Sequence, residues 1–162
     1  MNIIVSVDKN WGIGKGNTLL FSIKHDMEFF KSATMNKVVI MGRKTLQSLP
    51  NGNPLKNRIN IVLTRDKAFE REDVIVCNSV DELLNKTKKY SDDELFVIGG
   101  EKIYELLLPY CDTAYVTKVF ADGQADKYMV NLDKSVDWEI ESETEDFKSD
   151  GLTYRFDVYK RI

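Results

Sequence analysis

The stretch "LFVIGGEKIYELL", residues 95–107, decides the fold. Its short, unbroken apolar run reads as a strand buried on both faces, and Gly99-Gly100 follows it directly. The glycine pair opens a helix predicted over 101–108 and stopped before Pro109. Working outward, runs rich in Ile and Val recur as "NIIVSV" at the start, "KVVIM" (37–41), "INIVLT" (59–64), "VIVC" (74–77) and "AYVTKVF" (114–120). Helices are predicted between them over 24–34, 43–48 and 80–90, the last opened by Ser79 with Glu82 three residues on. The tail changes character. "WEIESETEDF" and "LTYRFDVYK", separated by "KSDG", read as an antiparallel hairpin whose second strand alternates as Leu152, Tyr154, Phe156 and Val158. The expected architecture is α/β: one domain over 1–162, a mixed, mostly parallel β-sheet flanked by helices on both faces, and a C-terminal antiparallel hairpin.

Bulk properties narrow the partners. With 162 residues, 43% apolar and 30% charged, the chain has the balance of an ordinary soluble domain with a sizeable core. A net charge of -3 argues against a general nucleic-acid binder, which needs a basic surface, and favours small molecules. No apolar run approaches transmembrane length, and "MNIIVSVDKNWG" reads as a first strand and not as a leader. Cys77 and Cys111 lie far apart and His25 is the sole histidine, so neither a zinc framework nor a disulfide framework is expected. A cytoplasmic monomer with no bound metal is the expectation. His25 also adjoins Asp26 on a diverging helical face, which speaks against a Ser-His-Asp or Cys-His site and for a solvated His25.

Three strand ends carry groups suited to anions. Gly99-Gly100 is the sharpest, because a glycine pair at a helix start lets main-chain N–H groups approach a phosphate. "VVIMGRKTLQSL" places Gly42 at a strand end, followed by Arg43, Lys44 and Thr45, and "IVLTRD" ends on Thr64 and Arg65. Ligands of open α/β sheets bind outside the carboxyl ends of the strands, so the three ends can share one crevice for a phosphorylated nucleotide or dinucleotide. Neither GxGxxG nor GxxxxGK[ST] occurs in these segments, which excludes a standard Rossmann fingerprint and a P-loop. A further oddity lies in "SIKHDMEFFK" (22–31). As a helix it sets Ile23, Met27, Phe30 and Thr34 on one core-facing stripe with Asp26 among them, and a carboxylate so placed is poorly hydrated and held above its usual pKa.

In order and spacing, "DKNWGIGKGN", "HDMEFFK", "VIMGRKTLQSLP", "NRINIVLTR", "FVIGGEKIYELLLP" and "VTKVFADGQAD" together resemble dihydrofolate reductases, from the first strand to the last hairpin. The resemblance implies hydride transfer from NADPH to C6 of 7,8-dihydrofolate with protonation at N5, yielding tetrahydrofolate for one-carbon metabolism. By similarity Asp26 is the acid that pairs with the pterin ring and favours its protonation. Thr117 is the threonine that hydrogen-bonds this acid, and Phe21 stands at a position near the pterin. Ile4, Val5, Met27, Phe30, Leu49 and Leu55 match the pocket around pterin and p-aminobenzoyl ring, and Arg58 matches the arginine that holds the glutamate α-carboxylate.

On the cofactor side the resemblance implies NADPH at Gly42, Arg43, Lys44 and Thr45, at Leu63, Thr64 and Arg65 beside the 2'-phosphate, and along Ile98, Gly99, Gly100, Glu101, Lys102, Ile103 and Tyr104. The Gly99–Gly100 peptide is cis in such proteins. Ser6, Ile13, Gly14, Asn17 and Leu19 would line the nicotinamide side, with 10–21 as the mobile loop that closes over it. Two departures stand out. Leu20 and Phe21 replace the usual proline and tryptophan, which removes an indole N–H donor. "ADKYMV" (125–130) keeps Asp126 but lacks the threonine and proline that often follow, which puts its pairing with 10–21 in question. Two alternatives remain: a reductase of the same fold acting on another heterocycle, such as the pyrimidine reductases of riboflavin synthesis, and a nucleotide-binding module without turnover.

Overall fold

The computed structural model describes residues 1–162. In chain order the strands are β1 (Asn2–Val7), β2 (Gly12–Gly14), β3 (Val38–Gly42), β4 (Ile59–Leu63), β5 (Val74–Cys77), β6 (Leu95–Gly99), β7 (Thr113–Val119), β8 (Lys127–Tyr128), β9 (Trp138–Glu143), β10 (Phe147–Ser149) and β11 (Leu152–Arg161). The helices are α1 (Lys24–Thr34), α2 (Arg43–Ser48), α3 (Val80–Thr87) and α4 (Glu101–Leu107). One sheet runs β10-β11-β7-β1-β6-β3-β4-β5, with β9 also paired to β11, and β2 and β8 form a separate ribbon. From β7 to β5 every pairing is parallel, and β11 joins β7, β9 and β10 antiparallel. The expected mixed, mostly parallel sheet is present.

The apolar runs lack alternation because both sheet faces are covered. Val38, Ile40, Ile61, Leu63 and Val97 pack in a core with Leu83 of α3 and Ile103, Tyr104 and Leu107 of α4. Val39, Met41 and Val62 point the other way, to Leu46 of α2. α1 lies on that same face, where Phe29 meets Tyr115 and Phe156 at ring-centroid distances of 6.4 and 4.9 Å. No helix is long and apolar enough to cross a membrane.

Several expectations are corrected. α3 stops at Thr87, not at 90: Thr87 Oγ1 donates to Leu83 O at 2.9 Å, and Lys88 N then turns back to Asn85 O. α4 ends one residue early at Leu107, where a 3-10 turn containing Pro109 takes over. The predicted first arm of the tail hairpin is two strands, β9 and β10, both laid against β11. β11 does not alternate cleanly, because Asp157 is buried opposite the apolar face and is held by Arg155 Nε at 2.9 Å and Lys118 Nζ at 3.3 Å. The α1 stripe fails at Met27, 59% exposed: only Ile23 and Thr34 reach the core, and Asp26 and Phe30 between them are half-buried.

Candidate active site

Asp26 is the third residue of α1, where the positive helix end favours a carboxylate. It faces paired strands: Ser6 of β1 lies beside Thr117 of β7, and Phe156 of β11 lies beside Thr117 on the other side. Thr117 Oγ1 donates to Asp26 Oδ1 at 2.6 Å. Burial raises the Asp26 pKa above the usual carboxylate value; hydroxyls of Thr117 and Ser6 and the neighbouring His25 act the other way and do not cancel it. The result is a half-buried acid whose pKa lies above the ordinary carboxylate value, with one oxygen oriented by a strand hydroxyl.

His25 is not simply solvated. Although exposed at one edge, its ring sits edge-on to Phe147, Tyr154 and Phe156, with Nδ1 2.9 Å from Tyr154 Oη. Phe21 packs half-buried with Ile23, Val119 and Tyr154, closing the same end of α1.

The far end of α1 carries a cation. Thr34 Oγ1 donates to Phe30 O at 2.8 Å and accepts from Arg58 Nε at 3.1 Å, and Arg58 Nη1 donates to Lys56 O. The guanidinium is half-buried, with its pKa lowered by desolvation, and it forms no ion pair within the chain. Thr34 lies eight positions after Asp26 on the helix, a rise of about 12 Å. Phe30 is half-buried between them, and Leu49 and Leu55 pack half-buried around Val39, Met41 and Val62, alongside Ile98.

The strand ends converge as the crevice rule requires. Met41 is registered with Gly99, and Gly42 with Leu63, so the tips of β6, β3 and β4 lie side by side. The Gly99–Gly100 peptide is cis. Gly99 has φ 129°, which only glycine adopts freely, and Thr45 Oγ1 stands 3.6 Å from where its Cβ would be. Arg43 and Thr45 are half-buried and Lys44 is exposed on α2, while Thr64 is half-buried and Arg65 exposed at the tip of β4. This corner of an acidic chain is locally basic and free of side-chain bulk, which suits a phosphorylated cofactor. Several expected lining residues offer only main chain: Val5, Leu63, Ile103 and Tyr104 turn their side chains into the core, and the Tyr104 hydroxyl donates to Ile4 O at 2.8 Å. Lys102 is exposed, and Leu19 is 76% exposed.

Loop 10–21 lies docked. β2 pairs with β8; Asp126 N donates to Gly14 O, and Asp126 Oδ2 accepts from Gly16 N, both at 2.9 Å. Asn17 Nδ2 donates to Lys44 O, and Ile13 packs against the large core. The pairing with 125–130 therefore survives without the missing threonine and proline. Leu20, in place of proline, fills the space in front of Gly123, where a Cβ would meet it at 2.8 Å. Sequence reading missed the organiser of this region. Asp8, 3% exposed, accepts from Asn10 N and Gly12 N at 2.8 Å through Oδ1 and from Gly123 N at 3.0 Å through Oδ2. Its one local signal is an aspartate leading a turn in "VDKNWG". It also missed that the Glu101 carboxylate is engaged: Oε2 accepts from Tyr128 N at 2.6 Å, so it faces the loop and not an anion.

The comparisons agree with this geometry. A family model described as dihydrofolate reductase matches residues 1–161. A dihydrofolate reductase of Staphylococcus haemolyticus is 36% identical over 164 aligned positions, covering 100% of this chain and 96% of the relative. One from Bacillus subtilis is 34% identical, covering 97% and 90%. The solved dihydrofolate reductase of Enterococcus faecalis, complexed with NADP(H) and RAB-propyl, superposes with a TM-score of 0.87 at 30% identity, covering 99% of this chain and 95% of that one. An acid seated under two strand hydroxyls, a basic crevice at parallel strand ends and a whole-chain match lead to one conclusion: the chain belongs to the dihydrofolate reductase family.

Proposed function

We propose that the protein reduces 7,8-dihydrofolate to 5,6,7,8-tetrahydrofolate with NADPH, and that the reaction occupies the cleft between α1 and the tips of β1, β6, β3 and β4. The observation that carries this reading is the Asp26–Thr117 pair: a half-buried acid near the start of a helix, its pKa raised by burial and one oxygen oriented by a strand hydroxyl. When bound, NADPH supplies the hydride that adds to C6, while N5 takes up a proton.

The chain's own residues bind, orient and shield. Asp26 receives the ring N3 and 2-amino group of the pterin and favours its protonated form, and Thr117 keeps the carboxylate from rotating. Phe30, Leu49 and Leu55 flank the p-aminobenzoyl ring, and Met27, exposed in the cleft, closes on it. Arg58, pinned by Thr34, meets the glutamate α-carboxylate, and the helix length of about 12 Å between the two anchors selects a ligand with a heterocycle at one end and a carboxylate at the other. Main-chain groups of Gly42, Gly99 and Gly100 with Arg43, Lys44 and Thr45 take the diphosphate, and Thr64 and Arg65 read the 2'-phosphate, which selects NADPH over NADH. Loop 10–21 excludes water from the hydride path. The acidic net charge favours small-molecule partners over nucleic acid, and the protein acts alone as a monomer.

The test is the near-ultraviolet absorbance of NADPH mixed with purified protein and 7,8-dihydrofolate, with NADH and protein-free controls. Decay that requires both protein and dihydrofolate, and is much slower with NADH, is expected. NADPH binding without decay would move the assignment to another heterocycle or to a binding module.

A further inference from the structure

Glu101 is the first residue of α4 and directly follows the Gly99-Gly100 pair. As a ligand for a phosphate it is the wrong charge, and its carboxylate is already committed 27 residues away, to Tyr128 N at 2.6 Å. That N–H belongs to β8 on the edge turned away from β2. On the inner edge, Asp126 N and Met129 N bond to Gly14 O and Trp11 O, each at 2.9 Å. The 125–128 turn is closed on itself by Tyr128 Oη donating to Ala125 O at 2.8 Å. At the opposite end of the ribbon, Asn17 Nδ2 bonds to Lys44 O on α2 at 3.2 Å. The segments 12–17 and 125–128 therefore form one strap across the cofactor crevice, tied to the start of α2 at one end and to the start of α4 at the other. The α4 tie is a single charge-assisted hydrogen bond, the stronger kind.

We propose that Glu101 is a positioning residue that clasps the β2–β8 strap to α4, so that it slows release of the bound dinucleotide without touching it. The inference rests on the proposed function for the identity of the dinucleotide. Charge and clasp make opposite predictions. Removing a carboxylate beside a diphosphate lessens repulsion and slows release, whereas removing the clasp frees the strap and speeds it.

The experiment measures NADPH dissociation by stopped-flow trapping for the parent, Glu101→Ala and Glu101→Gln, together with hydrogen exchange of the Tyr128 amide in the nucleotide-free protein. Loss of a charge-assisted hydrogen bond at a partly exposed site predicts release about tenfold faster for Glu101→Ala. Glu101→Gln keeps an acceptor oxygen and is expected within about threefold of the parent. Tyr128 exchange is expected to accelerate in Glu101→Ala and to be largely restored in Glu101→Gln. Slower release in both variants, or unchanged Tyr128 protection in Glu101→Ala, would overturn the clasp. Failure of the parent to bind NADPH would refute the proposed function instead, and the exchange measurement, which needs no nucleotide, would still decide the clasp.

Discussion

Asp26→Asn separates chemistry from architecture. Asparagine keeps an oxygen at Oδ1, so Thr117 Oγ1 can still donate across the 2.6 Å contact and the β7 to α1 junction is preserved. What disappears is the charge that pairs with a protonated pterin and the group that favours proton uptake at N5. General acid–base assistance contributes about 10²–10⁴ in rate, so kcat near pH 7 is expected to fall by that factor, or about 3–5 kcal/mol of barrier. Stability is expected to move the other way. Burial sets the Asp26 pKa higher in the folded than in the unfolded chain. Between those two values the folded state binds more protons, so stability falls as pH rises through that window and stays lowered above it. A neutral asparagine does not ionise, so the variant should melt at or above the parent temperature at pH 7, and any advantage over the parent should fade below the unfolded carboxylate pKa. The assays are the pH profile of kcat, the KM for NADPH, and thermal melts at pH 7 and in acid. Activity within threefold of the parent at pH 7, or a loss that brings a lower melting temperature and weakened NADPH binding, would refute the reasoning.

Three other substitutions probe separate parts of the account. Arg58→Ala removes a cation anchored by Thr34; it should raise KM for dihydrofolate roughly 10²-fold with little change in kcat, as for an interaction equal in ground and transition states, and steady-state kinetics would show it. Arg65→Ala should weaken NADPH by tenfold or more and leave NADH nearly unaffected, which paired titrations would reveal; equal effects would remove Arg65 from the 2'-phosphate. Asp157→Ala removes the buried carboxylate shared by Lys118 and Arg155, which keep Asp133 at 2.8 Å and Glu143 at 3.1 Å, so the cost is that of lost charge-assisted hydrogen bonds, about 1.5–3 kcal/mol. For a chain of this length that is a fall in Tm of roughly 3–12 °C, measurable by calorimetry.

How much of this was legible in the sequence depended on how local each cause was. Continuous apolar runs announce strands buried on both faces, so β1, β3, β4 and β6, and the glycines at the tips of β3 and β6, were readable directly. Ser79 and Glu82 announce α3 because the cap is local: Ser79 Oγ accepts from Glu82 N at 3.1 Å. The pairing of β2 with β8 was legible only through the family resemblance, since a three-residue and a two-residue strand carry no periodicity and are held by Asp8 and Asp126. Distance along the chain concealed Glu101, whose partner is a main-chain N–H that no side-chain pattern marks. Met27 was misread for the converse reason. Helical spacing fixes which residues share a face but not how much of that face meets a core, and on α1 Ile23 and Thr34 are buried while Met27 is 59% exposed.

The most direct test of the central claim follows the hydride itself. Tetrahydrofolate formed by the protein from NADPH carrying deuterium at nicotinamide C4, prepared separately on each face, would be examined by NMR and mass spectrometry. One of the two labelled forms is expected to deliver one deuterium to C6, with no wash-out to water, and the proton at N5 to come from solvent. Deuterium lost to solvent, found at another carbon, or absent from the product of both forms would contradict that claim.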